Sequence, residues 1–217
     1  MSALIDNFDL FARAFGVTLW VSLASGILAF VWGLLLAAFR VSPVGPLRTF
    51  GAAYVNVVRN TPLTLMFVFL VSAAPSLLGL TVPLGQPMAI LALTLYTATF
   101  VCEAIRSGIN SVGVGQAEAA RSVGLTFVQT LSHVVLPQAF RSVLPPMINV
   151  YIAHIKNSSV AAGFAVTELV AIANRLSNGN PGDVIGIFAG VGLGYLVITV
   201  PLSVTAERLE ARVAVAR

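Results

Sequence analysis

Residues 118–138 read EAARSVGLTFVQTLSHVVLPQ, and this polar stretch decides the architecture of the whole chain. The segments on both sides of it are almost entirely apolar. Because charged groups are costly inside a bilayer, a chain that lives in lipid keeps such a block only where it meets water. We therefore interpret the stretch as the water-facing element of a membrane protein, contacted by a soluble partner.

The composition supports a membrane location. The chain has 217 residues, of which 58% are hydrophobic and 9% charged, with a mean hydropathy of +0.94. Ordinary soluble domains carry about 25% charged residues. The formal net charge is +4, but the basic residues are scattered singly between apolar runs. This scatter argues against a nucleic-acid-binding stripe and is typical of a membrane topology signal.

Five segments are long and apolar enough to cross a bilayer, which requires about 20 residues. We predict an all-α, polytopic membrane protein that forms one domain over residues 1–217. The predicted spans are residues 16–39, 50–72, 84–105, 144–166 and 184–204.

The arginines predict the orientation of these spans. An odd number of spans puts the termini on opposite sides, and arginines prefer the cytoplasmic loops. With the N-terminus outside and the C-terminus in the cytoplasm, the cytoplasmic segments hold far more arginines than the external ones. The cytoplasmic set is Arg40, Arg48, Arg106, Arg121, Arg141, Arg208, Arg212 and Arg217, and the external set is Arg13 and Arg175.

The polar stretch is predicted to fold as two short helices. The first covers residues 116–123 and ends at Gly124, because glycine tolerates the positive φ of a helix C′ position. Thr126 and Gln129 have capping-box spacing at the start of the second helix. We expect Leu136-Pro137 to stop that helix, since proline lacks a backbone donor.

The first short helix carries residues suited to contact with another protein. Ala119 and Ala120 are small enough for close approach, and Glu118 and Arg121 can set the register through charged hydrogen bonds. The alternative is a polar loop that merely connects two spans.

The stretch also resembles a known signature. It is similar to the permease pattern of ATP-binding-cassette (ABC) importers, which reads E-A-A, three residues, Gly, nine residues, an aliphatic residue, one residue and Leu-Pro. The matching positions are Glu118-Ala119-Ala120, Gly124, Val134 and Leu136-Pro137.

Four more pieces resemble the polar amino-acid branch of these permeases. They are Arg59-Asn60-Thr61-Pro62-Leu63, Glu103-Ala104-Ile105-Arg106-Ser107-Gly108-Ile109, Leu136-Pro137-Gln138-Ala139-Phe140-Arg141 and Lys156-Asn157-Ser158-Ser159. The resemblance implies a type I importer permease fold in a bacterial inner or plasma membrane. It also implies that the loop of about residues 107–141 carries coupling helices, with coupling residues Glu118, Ala119, Ala120, Arg121 and Gly124.

The same resemblance implies a set of partners. These are a cytoplasmic ABC ATPase dimer, a second permease that is identical or homologous, an external solute-binding protein and an amino-acid substrate. The chain itself offers no Walker A site, which requires Gly-Lys-Ser/Thr, because Lys156 is its only lysine and follows Ile155. We therefore expect no enzyme activity and no cofactor in this chain, with ATP and Mg²⁺ bound by the ATPase.

Arg59 is a charge placed about ten residues into the second span. Asn56, Arg59 and Asn60 share one helical face at i, i+3 and i+4. Thr61-Pro62 follows and is predicted to break the helix, as at transporter binding sites. We hypothesise that this face lines the substrate pathway. The alternative is an ion pair of Arg59 with Glu103 or Glu168 that only holds the bundle together.

Lys156 is the second cation within a span, and Asn149 lies on the same face seven residues earlier. With Ser159, these side chains either line the pathway or form hydrogen bonds between helices. Two intramembrane cations without an acidic pair suggest an acidic or neutral polar amino acid as substrate, such as glutamate or glutamine.

Two other functions compete with the importer. A stand-alone secondary transporter or channel would not need the polar stretch. An intramembrane enzyme would need a nucleophile and a base, for which only His154 and Ser158, at i and i+4, are suitably spaced. His133 and His154 have no neighbours at metal-ligand spacing, so no metal site is expected.

Overall fold

The computed structural model describes the backbone of residues 2–215 and the side chains through residue 211. Two arginines of the predicted cytoplasmic set fall outside it, namely Arg217 and the side chain of Arg212. The described helices are α1 (Ser2–Asp6), α2 (Phe8–Val41), α3 (Gly45–Arg59), α4 (Leu63–Val68), α5 (Ala74–Leu78), α6 (Gln86–Asn110), α7 (Val114–Ser122), α8 (Phe127–Thr130), α9 (Leu136–Asn157), α10 (Leu169–Gly179) and α11 (Val184–Val215). Shorter π-helical and 3₁₀ turns join them at residues 69–73, 131–135, 158–164 and 181–183.

The all-α prediction is confirmed, and the five predicted spans have counterparts in the fold. Within the described part of the chain, three helical segments can each cross a membrane alone: Phe8–Val41, Gln86–Asn110 and Pro181–Ala211. Two bent pairs supply the other crossings, for up to five in all.

The break predicted at Thr61-Pro62 is confirmed. Helix α3 ends at Arg59, and the chain turns by 108° before α4 and α5 continue it. Pro62 has no N–H to donate, and Thr61 turns its hydroxyl back to the Val57 carbonyl oxygen at 2.8 Å. Residues 50–72 are therefore not one straight span, and Arg59 lies at a helix end.

The prediction that Leu136-Pro137 stops the second short helix is wrong. A π-helical turn, Leu131–Val135, precedes the proline, and α9 begins at Leu136 with Pro137 in its first turn. The wider π-helical turn lets the helix continue past Pro137, which has no N–H to donate. Helix α9 therefore starts well before the predicted residue 144, and it ends at Asn157 rather than near residue 166.

His154 joins three helices in the middle of the bundle. It is 1% exposed, and its Nδ1 accepts a hydrogen bond from the Thr97 hydroxyl of α6 at 2.8 Å. Its Nε2 lies 3.0 Å from the Ser22 carbonyl oxygen of α2, which can only accept, so Nε2 carries the proton. His154 is therefore a buried packing residue that links these helices by hydrogen bonds.

Helices α2 and α6 are in close contact at Gly33. A Cβ atom on Gly33 would lie 2.6 Å from the Val101 Cβ and 2.8 Å from the Ala98 carbonyl oxygen. Both atoms are fixed to the α6 backbone and cannot rotate away. Small residues permit such contacts between membrane helices.

We predict that Gly33→Ala lowers the free energy of unfolding by about 1–3 kcal/mol, because the added methyl overpacks this contact. Gly16→Ala in the same helix is the matched control, since a Cβ there meets nothing within 4 Å. The measurement is SDS-induced unfolding of the purified protein in mixed micelles. Equal unfolding midpoints for the two variants would contradict the close approach.

Candidate functional site

Lys156 lies close to the middle of the bilayer. Its depth follows from His154, two residues earlier, which bonds to Thr97 near the centre of the 25-residue helix α6. Asn149 lies about 10 Å below Lys156 along α9, toward the end of the bundle that carries the polar stretch.

One face of α9 is open at this depth. Asn149, Ala153 and Lys156 follow one another at i, i+4 and i+7, and all three are exposed. Ser159 is half-buried and donates its hydroxyl to the Lys156 carbonyl oxygen at 2.7 Å. Among the described residues, Lys156 forms no salt bridge. A lone ammonium at the bilayer centre costs about 2.5–3.5 kcal/mol on insertion scales, so this face must meet water or another subunit.

Arg59 points to an acidic residue on a neighbouring helix. Its Nη1 lies 3.6 Å from Oε2 of Glu103 on α6. Arg106 Nη2 donates to the same oxygen at 3.0 Å, and Arg40 from α2 donates to Oε1. The Glu103 ion pair, one of the two expected partners, is therefore present.

The face predicted at the end of α3 is also exposed. Asn56, Arg59 and Asn60 are exposed and Thr61 is half-buried. The Asn60 side-chain amide donates to the Asn56 carbonyl oxygen at 2.7 Å. The Arg59 group therefore lies at the end of α3 and the Lys156 group lies on α9. Helix α6 packs against both α3 and α9.

A third open face, on α6, was missed by the sequence reasoning. Tyr96, Phe100, Glu103 and Ser107 lie on it at i, i+4, i+7 and i+11; the first three are partly buried and Ser107 is exposed. The Tyr96 and Phe100 rings pack with centroids 5.1 Å apart. The helical spacing of aromatic and polar residues was the signal that could have identified this face.

Glu168 is not a partner of Arg59. Its side chain is 1% exposed and caps α10, since Oε1 accepts from the Ala171 N–H at 2.9 Å. Oε2 accepts from the Tyr195 hydroxyl of α11 at 2.7 Å. Glu168 is therefore a buried helix cap, and of the two expected partners of Arg59 only Glu103 is found.

The enzyme hypothesis has no structural support. The His154 Nε2 proton points to Ser22, and Ser158 donates its hydroxyl to the Ile155 carbonyl oxygen at 2.7 Å. Neither side chain is placed to activate the other.

The polar stretch contains the predicted first helix, the turn at Gly124 and the capped start of a second helix, but that second helix continues into α9 instead of ending at Leu136-Pro137. We call α7 and α8 the helical pair. Gly124 has φ +90°, and the Leu125 N–H closes α7 by donating to the Ala120 carbonyl oxygen at 3.1 Å. The capping box is complete, since the Thr126 N–H donates to Gln129 Oε1 at 2.9 Å and the Gln129 N–H to Thr126 Oγ1 at 3.3 Å.

This helical pair presents a mixed apolar and charged surface. Glu118, Ala119 and Arg121 are exposed, but Ala120 is only 7% exposed, because α7 packs against the π-helical turn that follows α8. Ala120 therefore packs inside the helical pair and is not on the surface that a partner protein would contact. Its exposed apolar residues are Val114, Val123, Phe127 and Val128, and Leu131, Leu136 and Phe140 follow where the helix continues. Apolar side chains grouped on a water-facing element indicate a protein interface.

A family model described as "Binding-protein-dependent transport system inner membrane component" matches residues 29–215, which is most of the chain. The chain belongs to this family. Among curated relatives, it is 39% identical over 212 residues to the glutamate transport system permease protein GluC of Corynebacterium glutamicum, covering 93% of both chains. It is 40% identical over 213 residues to the probable glutamine ABC transporter permease protein GlnM of Bacillus subtilis, covering 98% of this chain and 97% of that one. This protein is thus a permease subunit of an amino-acid ABC importer.

Solved structures agree with this assignment. A crystal structure of an amino acid ABC transporter with histidines matches the permease with a TM-score of 0.87 at 25% identity over 96% of each chain. The inward-facing MetNI methionine ABC transporter matches with a TM-score of 0.74 at 22% identity, over 96% of this chain and 98% of that one. The second match shows a shared fold. The predicted type I importer fold and the multi-pass membrane location are confirmed.

We predict that Gly124→Ala in the permease displaces α8 relative to α7, because an L-residue at φ +90° is strained by about 1–2 kcal/mol. ATP-driven uptake in proteoliposomes should fall, while the amount of folded permease in the membrane stays the same. Gly115→Ala, in the same element with nothing within 4 Å of its Cβ, is the control. Full uptake by Gly124→Ala would show that this turn does not set the coupling geometry.

Proposed function

We propose that this permease and a second permease, identical or homologous, together enclose the translocation pathway for glutamate or glutamine. The observation that carries the proposal is Lys156, an exposed ammonium at mid-bilayer without a salt-bridge partner in the described chain. The α-carboxylate of an amino acid is the kind of anion that such a group binds through a charge-assisted hydrogen bond. The names of the relatives GluC and GlnM support the choice of substrate.

The pathway is lined, on this proposal, by polar side chains from two helices. Those from α9 have the stronger support, because Lys156 has no competing partner. Arg59 already interacts with Glu103, so a substrate carboxylate would have to displace that ion pair. The proposed lining residues are Asn56, Arg59, Asn60, Thr61, Asn149, Lys156 and Ser159.

ATP hydrolysis on the cytoplasmic side drives transport. We assign ATP and Mg²⁺ to a cytoplasmic ABC ATPase dimer, which binds the helical pair through Glu118, Ala119, Arg121 and the exposed apolar residues around them. Gly124 and the buried Ala120 hold the shape of that pair. A solute-binding protein delivers the amino acid on the opposite face.

The orientation follows from the same arrangement. Arg40 and Arg106 lie at the end of the bundle from which α6 leads into the helical pair. Placing that end in the cytoplasm puts the N-terminus outside and the C-terminus inside.

We predict that Lys156→Gln lowers ATP-driven glutamate uptake at least about tenfold, because a charged hydrogen bond contributes about 1.5–3 kcal/mol. Lys156→Arg keeps the positive charge and should retain much of the uptake. Both variants are compared in proteoliposomes that contain the complete complex, after the amount of assembled complex has been matched. Unchanged uptake by Lys156→Gln would remove Lys156 from the pathway.

Arg59→Gln distinguishes the two roles open to Arg59. If Arg59 contacts substrate, the glutamate concentration for half-maximal uptake rises by about tenfold, again from one charged hydrogen bond. If it only holds α3 to α6, that concentration stays constant and the SDS resistance of the complex falls. Asn60→Ala, at the same helix end, controls for disturbance of the break.

A further inference from the structure

The Glu103 cluster carries more positive charge than its single carboxylate can neutralise. Arg40, Arg59 and Arg106 all point at Glu103, which leaves a formal excess of two positive charges. The side chains of Arg59 and Arg106 are each 39% exposed, so the cluster is open to its surroundings.

The cluster lies in one half of the hydrocarbon layer and reaches its edge at Arg106. Helix α6 is about 37 Å long, and Glu103 lies about 10 Å before its C-terminal end. A bilayer core is about 30 Å thick, so with α6 centred in it Glu103 lies about 7 Å inside the boundary and Arg106 about 2 Å inside it. Two uncompensated cations at such a depth favour the binding of an anion.

Arg106 has donors left over for such an anion. Its Nη2 bonds to Glu103 and its Nε is buried, so neither serves a lipid, but no hydrogen bond of its Nη1 is found among the described residues. Since the side chain is 39% exposed, Nη1 can donate a charge-assisted hydrogen bond to a phosphate oxygen.

An apolar groove leads away from Arg106. It has a volume of about 150 Å³ and is formed by the ends of α2 and α6. A cavity of this size accepts an apolar group about as large as benzene. Beside Arg106, its lining consists of Leu34, Ala37, Ala38, Val41, Ile105 and Ile109.

We propose that this site binds an anionic phospholipid of the inner leaflet. The lipid phosphate accepts hydrogen bonds from Arg106 and neutralises part of the excess charge, and an acyl chain enters the groove. A basic pocket between helices near the cytoplasmic surface is a recognised setting for anionic headgroups. A zwitterionic lipid offers the same chain and phosphate but no net charge, so phosphatidylglycerol should bind in preference to phosphatidylcholine. The site is separate from the Lys156 face, and its contact with the lipid is made by Arg106 and not by Arg59, the member of the cluster assigned to the substrate pathway. The inner-leaflet location rests on the orientation proposed above.

The decisive experiment compares two variants that break the same ion pair. Arg106→Gln lowers the excess charge by one, and Glu103→Gln raises it by one. The probe is phosphatidylglycerol, whose retention by the whole complex is counted by native mass spectrometry after exchange in nanodiscs of phosphatidylglycerol and phosphatidylcholine. Arg106→Gln should weaken phosphatidylglycerol binding about fivefold and Glu103→Gln should strengthen it to a similar extent, since each basic charge near the surface contributes about 1 kcal/mol. Changes of the same sign would mean that only the ion pair matters and would overturn the proposal.

Further variants and a competing anion identify the source of the bound phosphate. Ala38→Phe fills the groove without changing charge and should also reduce phosphatidylglycerol retention, whereas Arg175→Gln, on α10, should not. Inorganic phosphate should not displace the lipid. Displacement by phosphate, or lipid that binds only after the ATPase subunits have been removed, would assign the cluster to a free anion or to the protein partner.

Discussion

The hydrocarbon core of a bilayer contains no water, so every polar group buried there must find its partner within the protein. His154 meets this requirement as a neutral imidazole that bonds α6 through Thr97 and α2 through the Ser22 carbonyl oxygen. Glu168 meets it through the Tyr195 hydroxyl and the first N–H groups of α10. The His154 bonds join helices that are distant in sequence, and the Glu168–Tyr195 bond joins α10 to α11. Together with the close contact at Gly33 they hold the bundle in one arrangement.

Lys156 is informative because it departs from that rule. It lies only two residues from His154, yet it is exposed and forms no salt bridge within the described residues. A charge left open at this depth is tolerated when water, a substrate or a second subunit faces it. Glu103 differs in that it accepts ion pairs from three arginines, yet this cluster also keeps an excess of positive charge. The bundle therefore has two places with unneutralised positive charge, one on the open face of α9 and one where α2, α3 and α6 meet.

The helical pair and the Lys156 face are parts of one continuous element. Because the π-helical turn admits Pro137, the helix that starts at Phe127 continues without a break through α9. About 44 Å of helix connects Phe127 to Lys156. If a soluble partner displaces the helical pair, the movement can therefore be transmitted to the middle of the bilayer through one continuous helix. A helix that ended at Pro137 would have placed a flexible joint between them.

The sequence by itself determined the features that depend on neighbours within about four residues. These include the five crossings, the break at Thr61-Pro62, the positive φ at Gly124 and the Thr126–Gln129 capping box, because hydropathy, proline and helix caps act locally. The exposed faces at Asn56–Asn60 and Asn149–Lys156 were predictable for the same reason. Only the tertiary structure decided that Arg59 pairs with Glu103, that His154 joins α2 to α6, that Ala120 turns inward and that Pro137 is accommodated. These outcomes depend on packing and on the widening of the helix before the proline, and neither is encoded in the spacing of the residues concerned.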